Sequence, residues 1–173
     1  KYTVRTAYYD SKLHQGFIHE QQVLNRMTAA LSAGEFMIYL QPKFFLKTCA
    51  LSGAEALVRW VDPVRGIVSP AEFIPIFEKN GFIMKLDCYV WQQTCKVIHR
   101  WMQEGRHFPP ISINISKIDL YHPRLYHILI GLINKYNIPP KMLPLELTES
   151  AYTENTSSAF QIIERLRESG FTI

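Results

Sequence analysis

Three oxygen-bearing side chains stand in segments that otherwise have the apolar pattern of buried strands. Glu55 lies in AEALVRW, Asn114 in INIS and Glu146 in LELTE. A charged side chain in a strand covered on both faces is costly unless it is paired or binds a metal ion. Each residue is predicted near the end of a strand that precedes a helix, the edge at which barrel active sites assemble. Carboxylate and amide oxygens suit Mg²⁺, Mn²⁺ or Ca²⁺ better than zinc.

Arg59 could add a phosphate-binding group to such a site. It follows Leu57 by two residues and Glu55 by four, so a strand places all three side chains on one face. A planar guanidinium matches two phosphate oxygens. The alternative is structural: Arg59 or a lysine neutralises the carboxylates, which are then ordinary polar residues of a barrel.

No competing chemistry is visible in the sequence. No serine stands in a GxSxG turn, and no cysteine pair has CxxC spacing. The three cysteines indicate reduced thiols in a cytoplasmic protein. The histidines lack metal-type spacing, and we interpret them as surface residues: His14, His19, His99, His107, His122 and His127.

Composition indicates a soluble globular domain with a small-molecule partner. Of 173 residues, 47% are hydrophobic and 20% charged, and the net charge of +4 is spread along the chain. We therefore expect no nucleic-acid polymer as a partner, because such proteins carry a concentrated basic stripe. No apolar run is long enough to cross a membrane, so we expect no membrane contact from this segment.

Alternating strand and helix patterns surround the candidate residues. Strands are predicted at 36–41, 51–60, 111–116 and 143–148, with a further one beginning at 171, and a hairpin through 47–49 joins the first two. A capping box at 69–72 starts a helix, although Pro75 favours a separate first turn, and Gly81 ends it. Further helices are predicted before Gly105, at 123–136 and before Gly170. This order predicts an α/β fold with a parallel sheet, which is either a (β/α) barrel or an open doubly wound sheet. The absence of a GxGxxG motif disfavours a dinucleotide-binding open sheet.

Five segments resemble, in order and spacing, the signatures of the EAL domain family of bacterial cyclic di-GMP phosphodiesterases. They are YLQPK at 39–43, GAEALVRW at 53–60, SPAEFIP at 69–75, INIS at 113–116 and ELTES at 146–150. The resemblance implies a modified TIM (β/α) barrel that hydrolyses cyclic di-GMP to linear pGpG with Mg²⁺ or Mn²⁺ in a two-metal site.

The resemblance also implies roles for individual residues. Glu55, Asn114 and Glu146 match metal ligands, and Glu55 and Glu149 match catalytic positions, Glu149 as the holder of a neighbouring loop. The residues that match substrate contacts are Gln41, Leu57 and Arg59. The family's remaining acidic ligands, a lysine and a glutamate follow the position of Ile173, so we expect a barrel truncated after about five strands and a chain inactive on its own.

Residues 1–34 resemble the tail of a GGDEF-like domain plus a connector helix, and 35–173 the N-terminal part of an EAL domain. The expected partners are cyclic di-GMP and an upstream GGDEF domain, with a homodimer left open. The alternative function is a catalytically inactive receptor that binds cyclic di-GMP, or a regulatory EAL module. Retention of the three candidate ligands favours the enzyme.

Overall fold

The structure, a computed structural model, describes residues 11–147 and 157–173. The first ten residues, which belong to the predicted GGDEF-like tail, and Glu149 lie outside these residues. In chain order the elements are α1 (Ser11–Ala33), β1 (Phe36–Phe44), β2 (Leu51–Asp62), β3 (Gly66–Val68), α2 (Pro70–Asn80), α3 (Ile83–Gln103), β4 (Ile111–Ile115), α4 (Lys117–Leu120), α5 (Leu125–Tyr136), a 3₁₀ turn (Pro140–Met142), β5 (Leu145–Leu147) and α6 (Ser157–Glu168).

The strands form one mixed sheet in the order β1-β2-β4-β5. The predicted hairpin is confirmed, since β1 and β2 pair antiparallel. Strand β2 then pairs parallel with β4, and β4 with β5, while β3 pairs antiparallel with β2. Within the described residues the sheet is open, with β1 at one edge and β5 at the other. This agrees with a barrel sheet that is not completed here.

The two faces of the sheet differ in chemistry because strand side chains alternate. Residues on one face are buried under the helices, among them Ala56, Trp60, Ile113, Ile115 and Leu145. Their neighbours in sequence point to the opposite face, where polar residues are frequent. The apolar face builds the core, and the polar face is left for the candidate site.

The core has two parts that meet at α3. One lies beneath α1 and α2 and contains the packed rings of Phe36, Trp60, Phe73 and Phe77. The other lies beneath α5 and α6 and is largely aliphatic. Burial of such side chains stabilises by about 1.5–3 kcal/mol each.

The signals at the ends of α2 act as predicted, but its interior does not. Ser69 and Glu72 form the capping box, and Gly81 ends the helix in the left-handed region at a φ of 75°. The expectation that Pro75 separates the first turn was wrong, because α2 is continuous through it. The burial of Phe73 and Phe77 on either side offsets the missing hydrogen bond of proline.

Prediction and structure differ at short elements. Strand β3 and helix α4 were missed, since neither is long enough for a periodic pattern. Residues 171–173 are not a strand, although the backbone of Thr172 accepts a hydrogen bond of 2.8 Å from the Leu145 amide. A single bond to β5 does not establish the predicted additional strand.

Candidate functional site

Strands β1 and β2 supply one half of the polar face. Glu55, Leu57 and Arg59 alternate along β2 and share that face, as their spacing predicted. Gln41 of β1 lies directly opposite Glu55 in the antiparallel register, and Tyr39 lies opposite Leu57. The hairpin therefore sets the predicted substrate-contact residues side by side.

Strands β4 and β5 supply the other half. Asn114 and Glu146 are partners in the parallel register. The side-chain amide Nδ2 of Asn114 donates a hydrogen bond of 2.8 Å to Glu55 Oε1. The structure thus brings together Glu55, Asn114 and Glu146, which come from three adjacent strands. Glu55 lies in the middle of β2 and not near its end, because β2 continues to Asp62 to pair with β1 and β3.

Lys43 joins the two carboxylates. Its ammonium lies 3.7 Å from Glu55 Oε2 and forms an ion pair with Glu146 Oε1. It also donates a hydrogen bond of 3.1 Å to the hydroxyl of Ser112. The side chains of the two glutamates are 21% and 36% exposed, so the pairs are open to water and each contributes at most about 1 kcal/mol.

Arg59 is not the counter-ion of Glu55 in the described part of the chain. Its Nη1 donates to the carbonyl oxygen of Val58 at 2.9 Å, and the guanidinium lies 5.9 Å from the centre of the Tyr39 ring. These contacts use few of the five N–H donors of arginine. The remaining donors suit a phosphate.

A cavity of about 210 Å³ opens where the polar face meets α2 and α3. Leu57, Arg59 and Asn114 line it from the sheet, and Ile74 and Asp87 line it from the helices. The cavity combines apolar walls with a few charged groups, which is typical of sites for small molecules.

Asp87, which lines this cavity, lies close to a second carboxyl group, that of Asp119. Asp119 is fully buried, and its Oδ2 accepts hydrogen bonds of 2.8 Å and 2.6 Å from the amide and hydroxyl of Ser116. Its Oδ1 has no hydrogen-bond partner among the described residues. Burial raises the pKa of Asp87 well above its ordinary value, and the carboxyl of Asp119 raises it further. Burial also raises the pKa of Asp119, against the hydrogen bonds from Ser116.

Hydrogen bonds from buried side chains hold β4 against α3 and β2. The indole Nε1 of Trp91, a fully buried residue, donates to the carbonyl oxygen of Asn114 at 3.0 Å. On the polar face, the buried hydroxyl of Ser112 donates to the carbonyl oxygen of Ala54 at 3.2 Å. These bonds tie β4 to α3 and β2, and so hold Asn114 beside Glu55.

The donor set suits a hard divalent cation. Two carboxylates and an amide supply oxygen ligands of the kind that Mg²⁺ and Mn²⁺ prefer. The Lys43 ammonium already lies between the carboxylates, so the arrangement accommodates a positive group there. No cluster of three histidine, cysteine or acidic side chains with metal-binding geometry occurs within residues 11–147 and 157–173. Of the three candidate ligands, only Glu55 and Glu146 are residues of these types.

Sequence reasoning missed three groups in this region. Lys43 stands two residues after Gln41, so its place on the polar face was readable from the strand period. The strand period does place Ser112 on the face of Asn114, but its contact with Lys43 was not predicted. The Asp87–Asp119 pair joins two helices, and no spacing rule connects residues so far apart.

His99 and the three cysteines, all among the described residues, lie outside the set formed by Glu55, Asn114 and Glu146. His99 accepts or donates a hydrogen bond of 2.7 Å at the carbonyl oxygen of Tyr136. The cysteines are all free thiols: Cys49 is exposed, Cys88 half-buried and Cys95 buried. Among the helices described, none is both long and apolar enough to cross a membrane.

Residues 24–173 match the sequence profile of the EAL domain family. The chain is similar to the bifunctional diguanylate cyclase/cyclic di-GMP phosphodiesterase MucR of Pseudomonas aeruginosa, with 26% identity over 167 residues, or 96% of this chain and 24% of MucR. It is also similar to the oxygen sensor protein DosP of Escherichia coli, with 31% identity over 154 residues, or 88% of this chain and 19% of DosP. The chain therefore spans a quarter or less of the length of these relatives.

A solved structure with a similar fold is the PaMucR phosphodiesterase in complex with cyclic di-GMP. It superimposes with a TM-score of 0.82 at 28% identity, covering 87% of this chain and 61% of that one. The match supports the barrel architecture predicted from the five sequence segments.

Proposed function

The chain belongs to the EAL domain family, and from this premise we propose that it is part of a cyclic di-GMP phosphodiesterase. The reaction is hydrolysis of one phosphodiester bond to give linear pGpG. The observation that carries the proposal is the meeting of Glu55, Asn114 and Glu146 on one face of the sheet, next to a cavity lined by Arg59.

Glu55, Asn114 and Glu146 would hold Mg²⁺ or Mn²⁺. When bound, such ions polarise a phosphoryl group and lower the pKa of a water molecule. Further ligands of a two-metal site would come from residues after 173, and Glu149 would hold a loop near them.

The other residues would bind and orient the substrate. Arg59 would hold a phosphate through N–H donors that its contact with Val58 does not use. Leu57 would pack against the substrate in the cavity, and Gln41 would contact it from the neighbouring strand. Because the strands fix these side chains, the substrate meets a preformed surface.

We further propose that residues 1–34 continue from an upstream GGDEF domain and form the connector to the EAL domain at 35–173. Helix α1 supports a connector role, because it is 23 residues long and packs on the domain through Val23 and Ala30. The proposal includes a homodimer, which a measurement of the protein's mass in solution would test.

The test is turnover by the protein at its natural length, with cyclic di-GMP and Mg²⁺ or Mn²⁺, followed by chromatography of pGpG. Glu55→Ala should lower kcat by about 100-fold or more, because changes even to groups that support metal ligands cost about 10–100-fold. Glu104→Ala, which removes an exposed carboxylate at the end of α3, is the matched control and should retain activity.

A second variant separates substrate binding from catalysis. Arg59→Ala should weaken cyclic di-GMP binding by about 10–100-fold, the scale of a lost charge-assisted hydrogen bond of about 1.5–3 kcal/mol. Normal turnover by Glu55→Ala in metal-replete buffer would refute the assignment. Binding of cyclic di-GMP by the unmodified protein without release of pGpG would instead favour the receptor alternative.

A further inference from the structure

Lys43 reaches the centre of the candidate site from the edge of the sheet. It lies on β1, and its partner across the hairpin is Gly53 of β2. The four-carbon stem of the lysine extends from β1 over β2. The ammonium thereby meets groups on β2, β4 and β5.

The contacts of this ammonium are those of a cation held by oxygen ligands. Ser112 accepts a hydrogen bond of 3.1 Å, Glu55 Oε2 lies at 3.7 Å, and Glu146 Oε1 forms an ion pair. Both glutamates are in the ligand set assigned above to the divalent ion. One position between them cannot hold the ammonium and a metal ion together.

We propose that Lys43 is a tethered counter-cation, which neutralises Glu55 and Glu146 without metal and must withdraw before a divalent ion binds. The inference rests on the proposed function, because it assumes that these glutamates are metal ligands. It adds that Lys43 sets the affinity of the site for its metal.

The exposure of the three side chains makes such an exchange feasible. Lys43 is 38% exposed, and the glutamates are 21% and 36% exposed, so water can replace the ammonium as it leaves. Ion pairs this open contribute little to stability. The lysine stem has four flexible carbons, so the ammonium can turn to solvent without movement of β1.

Removing the charge of Lys43 should therefore increase the affinity for the metal ion and lower the thermal stability of the metal-free protein. Lys43→Met abolishes the competing cation, and Mn²⁺ should bind about tenfold more tightly. Without metal, the same variant leaves two carboxylates close to one another without their counter-ion, so its Tm should fall below that of the unmodified protein. A lysine with a purely structural role would not produce these opposite effects.

The experiment measures Mn²⁺ binding by titration calorimetry or electron paramagnetic resonance, in the protein at its natural length and without substrate. Thermal unfolding in EDTA supplies the second readout. Lys47→Met is the control, because it removes an exposed positive charge from the same hairpin. It should change neither quantity. Lys43→Gln tests the charge in a variant that can still donate to Ser112, and should also bind Mn²⁺ more tightly.

The outcomes distinguish this inference from the proposed function. If Mn²⁺ binds the unmodified protein, and both Lys43 variants bind it equally or more weakly, Lys43 does not compete and the inference is overturned. If the unmodified protein and the Lys43 variants all fail to bind Mn²⁺, the metal site itself is wrong, and the inference falls with it.

Discussion

Replacing Asp87 by asparagine should stabilise the protein, and more so as the pH rises. Asp119 Oδ1 is buried without a hydrogen-bond partner in the described structure, and the pKa of the neighbouring Asp87 is raised. A proton on Asp87 would supply the donor that Asp119 Oδ1 lacks. Asparagine has nearly the same shape and carries N–H donors at every pH.

The magnitude follows from the unpaired oxygen. A buried acceptor without a partner costs about 1–3 kcal/mol, so Asp87→Asn should gain up to about that amount once the wild-type carboxyl has lost its proton. For a protein of this size, each kcal/mol corresponds to about 2–4 °C in Tm.

The sign of the pH dependence follows from the direction of the shift. Because the pKa of Asp87 is raised by folding, the native state keeps a proton that the unfolded chain has released. Wild-type stability therefore falls as the pH rises from the ordinary value of 3.8 through the raised folded value. The stability of the variant should decline less over this window, so the curves should converge in acid and separate above it.

The assay is urea unfolding from about pH 4 to about pH 8, the range over which loss of the Asp87 proton should change the free energy of unfolding. Among the described residues, the titratable groups that interact with the pair are Glu78, Cys88 and His122, and they are the same in both proteins. Glu78→Gln, which neutralises an exposed carboxyl near Asp87, is the control and should have a smaller effect. An Asp87→Asn protein that is less stable throughout, or whose stability follows the wild-type pH dependence, would refute a shared proton.

Two further predictions concern a charged anchor of α1 and the thiols. Arg26 bonds both carboxylate oxygens of Glu35, at 2.8 Å and 2.9 Å, and lies 2.9 Å from the buried Asp62, so Arg26→Met should cost about 1–3 kcal/mol in urea unfolding. Arg106→Met, at an exposed pair, should cost less than about 1 kcal/mol, and an equal loss in both would contradict the anchor. Burial raises the pKa of the Cys95 thiol to about 12. Iodoacetamide under native conditions should therefore label the exposed Cys49 and leave Cys95 unmodified. Equal labelling of the two thiols would contradict the packing around Cys95.

The sequence predicted those features that depend on local patterns. The alternation at 111–115 placed Asn114 on the face opposite the isoleucines, and the capping residues of α2 marked its ends. The strand period also placed Glu55 and Arg59 on one face. Each of these follows from a period or a cap that is complete within a few residues.

Features that depend on tertiary packing, or on how far a long side chain extends, were not predictable in this way. The continuity of α2 through Pro75 depends on burial of its aromatic neighbours. The contacts of Lys43 depend on the length of its side chain, which extends from β1 to groups on β2, β4 and β5. The Asp87–Asp119 pair depends on how α3 packs against α4. Sequence periodicity contains no information on such distances.

The division of the core also bears on the order in which the chain can fold during synthesis. Every buried residue of the core cluster beneath α1 and α2 lies between Val23 and Val90, and the hairpin of β1 and β2 requires only local contacts. This cluster can therefore pack while the segments of β4 and β5 are still being made. The second cluster needs Ile111 and later residues, which dock onto the far half of α3. Because contacts between close sequence neighbours form rapidly, the first half can serve as a template on which the parallel strands, which pair more slowly, are added one by one.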